Sequence, residues 1–87
     1  MKIKDGFILR EVAGTFVVVA VGNAVKEFNA VITLNETGAF LWKALEKGAT
    51  EEELLQAILA EYDVPEEIAK ADISAVVTKL KNAKLLK

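Results

Sequence analysis

A short apolar stretch that runs directly into a capped helix constrains the fold of this chain more than any other feature. Residues 30–34 (AVITL) are aliphatic and rich in β-branched side chains, which is typical of a strand. Asn35 comes next, and its side-chain oxygen can accept a hydrogen bond from an unpaired amide in a first helical turn. The only tryptophan, Trp42, follows among apolar residues at helical spacing and is expected to anchor the core.

Two further strands are predicted before this junction. Residues 7–12 and 15–21 are rich in β-branched and aromatic side chains, and Ala13-Gly14 between them suits a two-residue hairpin turn. The polar segment 22–29 is expected to form a loop before the third strand. The sequence therefore predicts three antiparallel strands, the third of them short.

Three helices are predicted after the junction. Gly48 suits the end of the first, and the Thr50–Glu53 pair predicts a capping box at the start of the second. Pro65 fits the first turn of the third helix, where its missing amide costs no hydrogen bond. In this last helix the apolar side chains fall on one arc, which consists of Ala69, Ile73, Val76, Val77 and Leu80. Asp72, Lys79 and Ala83 lie along one edge of that arc.

These elements predict one α+β domain over residues 1–87, a three-stranded antiparallel sheet followed by a three-helix bundle (βββααα). An 87-residue chain can build one modest core, and the order of the last two helices and the sheet is winged-helix-like. The third strand is too short for two firmly paired neighbours. Its open edge would offer unpaired backbone groups to which another extended chain could add as a strand.

Composition argues against an enzyme. The chain has no cysteine and no histidine, which removes disulfides, thiolate metal sites and the commonest base at neutral pH. Glu51, Glu52 and Glu53 open a helix and complement its dipole, with no adjacent nucleophile. We therefore expect no catalysis, no metal and no cofactor.

The sequence also bears on location. Residues 1–10 alternate charged and apolar side chains, unlike a secretory signal, and the apolar run 16–21 is far shorter than the roughly 20 residues of a membrane helix. A cytoplasmic protein without membrane contact is expected.

A DNA-binding winged helix is the alternative function that the charges raise. From Val76 onward the chain contains no acidic residue and four lysines, which are Lys79, Lys81, Lys84 and Lys87. Against DNA stand the net charge of −2, a single arginine (Arg10) and an apolar last helix where base-reading residues would be needed. A regulatory or structural subunit that forms a homodimer through the open sheet edge is a third possibility.

The chain resembles the PqqD family. The resemblance is carried by residues 34–42 (LNETGAFLW), the helix start 50–54 (TEEEL) and the later Asp72-Ile73, and it extends from Phe7 to Leu86. It implies a recognition element for ribosomally made, modified peptides, a non-catalytic module that binds the leader of a precursor peptide. The usual partner in that family is a radical S-adenosylmethionine enzyme or another peptide-modifying enzyme.

In that family the leader lies as a strand against the third strand, with its apolar side chains in a groove formed with the third helix. The matching strand positions here are Val31, Ile32, Thr33 and Leu34. The matching helix positions are Asp72, Val76, Lys79 and Leu80. Asp72 lies beside an apolar arc, where a carboxylate needs a donor, and either the peptide or an intramolecular group such as Lys79 would supply it.

Two positions depart from the family pattern. Val76 stands where many relatives carry a larger side chain, which predicts a roomier groove. Lys84 stands where relatives often have a helix-closing glycine, so the third helix is expected to run further. Both departures weaken the expectation that this chain reads the same peptide as the quinone-cofactor pathway.

Overall fold

The computed structural model describes residues 1–26 and 31–87 and confirms the predicted order of three strands followed by three helices. The strands are β1 (Phe7–Val12), β2 (Thr15–Ala20) and β3 (Ile32–Leu34), with a short 3₁₀ helix at Gly22–Lys26. The helices are α1 (Glu36–Lys47), α2 (Glu51–Glu61) and α3 (Glu66–Asn82). The chain thus forms an α+β fold of βββααα order.

The sheet is antiparallel with the strand order β1-β2-β3, which leaves β3 at an edge. Ala13 and Gly14 make the β1–β2 turn with φ values of 51° and 81°, and positive values at both positions are typical of a type I′ hairpin turn. In the β2–β3 pair Val17 faces Thr33 and Phe16 faces Leu34. The β3 edge therefore lies beside the point where the chain enters α1.

The first two helices begin as predicted. The Asn35 side chain accepts a hydrogen bond from the Gly38 amide at 2.8 Å, which caps α1. The Thr50 hydroxyl accepts from the Glu53 amide, and the Glu53 carboxylate accepts from the Thr50 amide, so both halves of the capping box are present at α2. Gly48 ends α1 with a φ of 93°.

The core lies between the inner face of the sheet and the three helices. Trp42 is fully buried, as expected of a core anchor. The apolar arc of α3 also packs inward through Ala69, Ile73, Val77 and Leu80, whereas Val76 at its margin is only half-buried. One face of α3 thus packs in the core, and the margin of that face lies toward the open edge of β3.

The first and last residues of the chain pack together, a contact for which the sequence has no local signal. Ile3 is buried and its amide donates to the Leu45 carbonyl at 3.0 Å, and Ile3 and Leu86 form an isolated antiparallel bridge. The Lys4 amide donates to the Leu85 carbonyl at 2.8 Å. The first residues therefore tie the end of α1 to the segment that follows α3.

Four boundaries differ from the prediction. The second strand ends at Ala20, one residue before its predicted end at residue 21. The third strand begins at Ile32, not at residue 30; Val31 precedes it, and Ala30 lies outside the described residues, as does part of the predicted 22–29 loop. Pro65 occupies the cap position, one residue before α3, where its missing amide is equally harmless. The expectation that Lys84 lets α3 run further was wrong, because the helix ends at Asn82 and Lys84 has a φ of 61°.

Candidate peptide-binding groove

A groove of about 500 Å³ runs between the edge strand β3 and helix α3. Its walls come from the β1–β2 turn, the β3–α1 junction and two turns of α3. The lining residues are Gly14, Thr15, Thr33, Leu34, Asn35, Thr37, Asp72, Ala75, Val76 and Lys79. The groove therefore joins the open strand edge to the half-buried margin of the last helix.

The backbone of Thr33 faces this groove. The Lys79 ammonium donates a hydrogen bond to the Thr33 carbonyl at 3.2 Å. Lys79 lies on α3, so the carbonyl that it reaches points away from β2. In an antiparallel pair the N–H and C=O of one residue point to the same side, so the Thr33 amide faces the groove as well. The edge offers one donor and one acceptor, which are the groups that an added strand needs.

Asp72 is the second charged group of the groove and is half-buried. Within residues 1–26 and 31–87 its carboxylate makes no hydrogen bond or ion pair, and the Lys79 ammonium reaches the Thr33 carbonyl. Asp72 and Lys79 are seven residues apart on α3, which corresponds to about two helical turns. A ligand in the groove would therefore meet an available anion and a cation on the same helix face.

The structure brings most of the predicted site residues together, in unequal roles. Thr33, Leu34, Asp72, Val76 and Lys79 line the groove. Val31 does not line it but lies just before β3 with 84% of its surface exposed.

The side chains of Ile32 and Leu80 point into the core, where they are 7% and 0% exposed. Ile32 and Leu80 therefore do not line the groove, and a contact between these two residues and a peptide stays a prediction. Leu34 is also buried, at 6% exposed, although it lines the groove.

Five residues that line the groove were not predicted as site residues. Gly14 comes from the β1–β2 turn, Thr15 from the start of β2, Asn35 and Thr37 from the β3–α1 junction, and Ala75 from α3. The pairing of Phe16 with Leu34 brings the turn beside the β3–α1 junction. The signal for Ala75 was present, since residues three apart on a helix share a face with Asp72.

Other chemistry is not evident in the described part of the chain. It contains no group of three or more acidic, histidine or cysteine side chains placed to hold a metal ion. None of its helices is both long and apolar enough to cross a membrane.

The chain as a whole is similar to known proteins. The family model for coenzyme PQQ synthesis protein D (PqqD) matches residues 15–86 of this chain. No curated protein is similar enough to count as a match.

Two solved structures share the fold. TbiB1 in complex with the TbiA(beta) leader peptide is 28% identical, with a TM-score of 0.74, and the match covers 100% of this chain and 95% of that one. Lasso peptide synthetase B1 complexed with the leader peptide is 24% identical, with a TM-score of 0.70 and coverage of 97% and 93%. At that lower identity the second likeness shows the fold alone.

Proposed function

The chain belongs to the PqqD family, and we propose on this premise that it is a non-catalytic adaptor for peptide modification. It binds the leader segment of a ribosomally synthesised precursor peptide and presents that peptide to a modifying enzyme. Support comes from TbiB1, a leader-peptide complex that is similar over the whole of this chain.

The open edge of β3 is the observation that carries this proposal. Thr33 presents an amide and a carbonyl to the groove, and α3 forms the opposite wall. A leader in extended conformation would pair with Thr33 as a fourth strand. Backbone pairing supplies affinity that depends little on sequence, so specificity has to come from the side chains that enter the groove.

The groove walls suit a leader that has apolar anchors and a donor. Ala75 and Val76 offer apolar surface, and each aliphatic side chain of the peptide that is buried there contributes roughly 1.5 to 3 kcal/mol before ordering costs are subtracted. Asp72 can accept from a backbone amide or a basic side chain of the peptide. These contributions are compatible with affinities between about nanomolar and tens of micromolar.

The partners follow from the role. The enzyme that receives the peptide is a radical S-adenosylmethionine enzyme or another peptide-modifying enzyme, and the location is the cytoplasm, where ribosomal precursors are made. The adaptor itself needs no cofactor. A homodimer through the β3 edge would occupy the same backbone groups, so leader binding and such dimerisation exclude each other.

The test is a nuclear magnetic resonance titration of ¹⁵N-labelled protein with the leader of the precursor peptide encoded beside its gene. We expect saturable amide shifts at residues 31–34 and along α3 from Asp72 to Leu80. Duplex DNA serves as the competing ligand. Shifts confined to the lysine-rich end of the chain with DNA, and none at β3 with the leader, would overturn the proposal.

A matched pair of variants at one position tests strand addition itself. Thr33→Pro removes the groove-facing amide, while the β2–β3 ladder does not use that amide, so proline is tolerated as on other strand edges. Thr33→Val keeps the amide and changes only the side chain. We expect Thr33→Pro to lose leader binding and Thr33→Val to retain it, with a dispersed amide spectrum in both. Equal binding by the two variants would contradict the proposed pairing.

A further inference from the structure

We propose that Lys79 is a displaceable cap on the open edge of β3, a built-in competitor that a leader must replace. In the free protein its ammonium occupies the Thr33 carbonyl. On binding, a backbone amide of the peptide takes over that acceptor and the ammonium moves away. This inference rests on the proposed function and assigns Lys79 a role that differs from a simple attractive contact.

The geometry places the competitor on the acceptor that strand addition requires. The Lys79 Nζ lies 3.2 Å from the Thr33 oxygen, and the two residues are 46 positions apart in the chain. β3 has only three residues, and Thr33 is the middle one. Of these three residues Thr33 alone directs its backbone groups to the groove, because neighbouring residues alternate sides. A cap on this one carbonyl therefore covers the central acceptor of the edge.

The cap is weak enough to be displaced. The hydrogen bond is exposed to solvent, and an ammonium on a flexible four-carbon stem loses side-chain entropy when it is held. Lysine on an edge strand is a common device against unwanted strand pairing. Here the lysine reaches the edge from a neighbouring helix, so it can leave without disturbing the ladder between β2 and β3.

Asp72 does not hold the ammonium in the free protein. Both residues line the groove, yet the Lys79 hydrogen bond goes to the strand and not to the carboxylate two turns away. A peptide backbone satisfies the Thr33 carbonyl and the Thr33 amide together, whereas Lys79 satisfies only the carbonyl. The pairing of both groups gives the leader its advantage over the cap.

The cap is first tested without any ligand. Lys79→Met keeps most of the aliphatic stem and removes the donor, and Lys81→Met removes the same charge from an exposed position of α3 outside the groove. The carbonyl carbon resonance of Thr33 reports the hydrogen bond. We expect it to move upfield in Lys79→Met and to stay in place in Lys81→Met. An unchanged resonance in Lys79→Met would overturn the inference.

Displacement is then tested with the genome-encoded leader. Leader binding breaks the hydrogen bond between Lys79 and Thr33 in the wild type, whereas Lys79→Met has no such bond to lose. We therefore expect Lys79→Met to bind the leader about two- to tenfold tighter than the wild type. Lys81→Met should match the wild type.

Weaker binding by Lys79→Met alone would show that Lys79 attracts the peptide, and equal binding would show that nothing is displaced; either result overturns the inference. If the wild type and Lys81→Met both fail to bind the leader, the proposed function fails, and displacement fails with it.

Discussion

The amide of Leu85 donates to the carbonyl of Leu80 at 2.9 Å and closes α3 in a Schellman motif. The Lys84 amide completes the motif by donating to the Lys81 carbonyl at 2.9 Å. Lys84 takes the left-handed position with a φ of 61°, and Leu85 behind it is fully buried. A lysine therefore makes a turn that a glycine would make without strain.

Replacing Lys84 by glycine should stabilise the protein. A left-handed backbone conformation costs a residue with a Cβ roughly 1–2 kcal/mol, and glycine avoids this cost. The greater backbone freedom of glycine in the unfolded state offsets part of the stabilisation. We expect Lys84→Gly to raise the free energy of unfolding by about 0.5–1 kcal/mol in urea denaturation.

Lys81→Gly, inside the same helix, is the control. It should lower the free energy of unfolding by about 1 kcal/mol. A loss of stability in Lys84→Gly would contradict the strain argument.

The predictable features of this fold are the local ones. The Asn35 cap, the capping box at Thr50 and the Ala13-Gly14 turn all depend on residues no more than three positions apart. The end of α3 was not predicted, because a lysine in the left-handed region leaves no trace in the sequence. Its position is fixed by the burial of Leu85 and by backbone bonds to the first residues of the chain.

The site could be predicted only in part for a related reason. The resemblance named positions on β3 and α3, but whether a side chain faces the groove or the core depends on the register and on helix rotation. Thr33 in the groove is one position from buried Ile32, and half-buried Val76 is four positions from buried Leu80. The contact between Lys79 and Thr33 spans 46 residues and has no local signal.

Ile3 should be as important to stability as a residue of the central core. Its side chain is 5% exposed, and it belongs to the main apolar cluster despite its place near the chain end. We expect Ile3→Ala to lower the free energy of unfolding by about 2–5 kcal/mol. Lys2→Ala, at an exposed neighbour, should change it by less than about 0.5 kcal/mol. Similar small effects for both variants in urea denaturation would show that the first residues do not contribute to the core.

Gly38 allows α1 to start close against β3. A Cβ at this position would lie 3.1 Å from the Leu34 Cβ and 3.3 Å from the Asn35 Oδ1. We therefore expect Gly38→Ala to lower the free energy of unfolding by about 1–2 kcal/mol, although alanine is the better helix former.

The Asn35→Ala substitution removes the Asn35 Oδ1, one of the two close atoms, so Gly38→Ala should cost less stability in that background. Asn35→Ala by itself costs about 1 kcal/mol, because it removes the helix cap. A double-mutant cycle measures this coupling. Full additivity would mean that the cap atom is not involved.

The pKa of Tyr62 should depend on its burial and on the acidic side chains near it. Partial burial raises the pKa of the Tyr62 phenol above its ordinary value near 10, and the negative charges of Glu36 and Glu61 raise it further. A pKa that is higher in the folded state contributes stability below pH 10, and this contribution is lost as the pH rises through the folded-state pKa.

Ultraviolet titration of this sole tyrosine measures the pKa directly. We expect Glu36→Gln to lower the pKa of Tyr62 and Glu46→Gln, on the same helix, to leave it unchanged. The same pKa in both variants would exclude the charge of Glu36 as a cause.

Val76 should determine which leader side chain the groove accepts. It is half-buried at the groove wall, so a larger side chain can extend into the groove without displacing the core. We expect Val76→Phe to keep the wild-type urea midpoint and to weaken binding of the genome-encoded leader by about tenfold or more, because it excludes one aliphatic anchor worth at least about 1.5 kcal/mol. Ile68→Phe, an exposed position of α3 outside the groove, should bind as the wild type does. Isothermal titration calorimetry provides the comparison, and unchanged affinity in Val76→Phe would place the leader's anchor elsewhere.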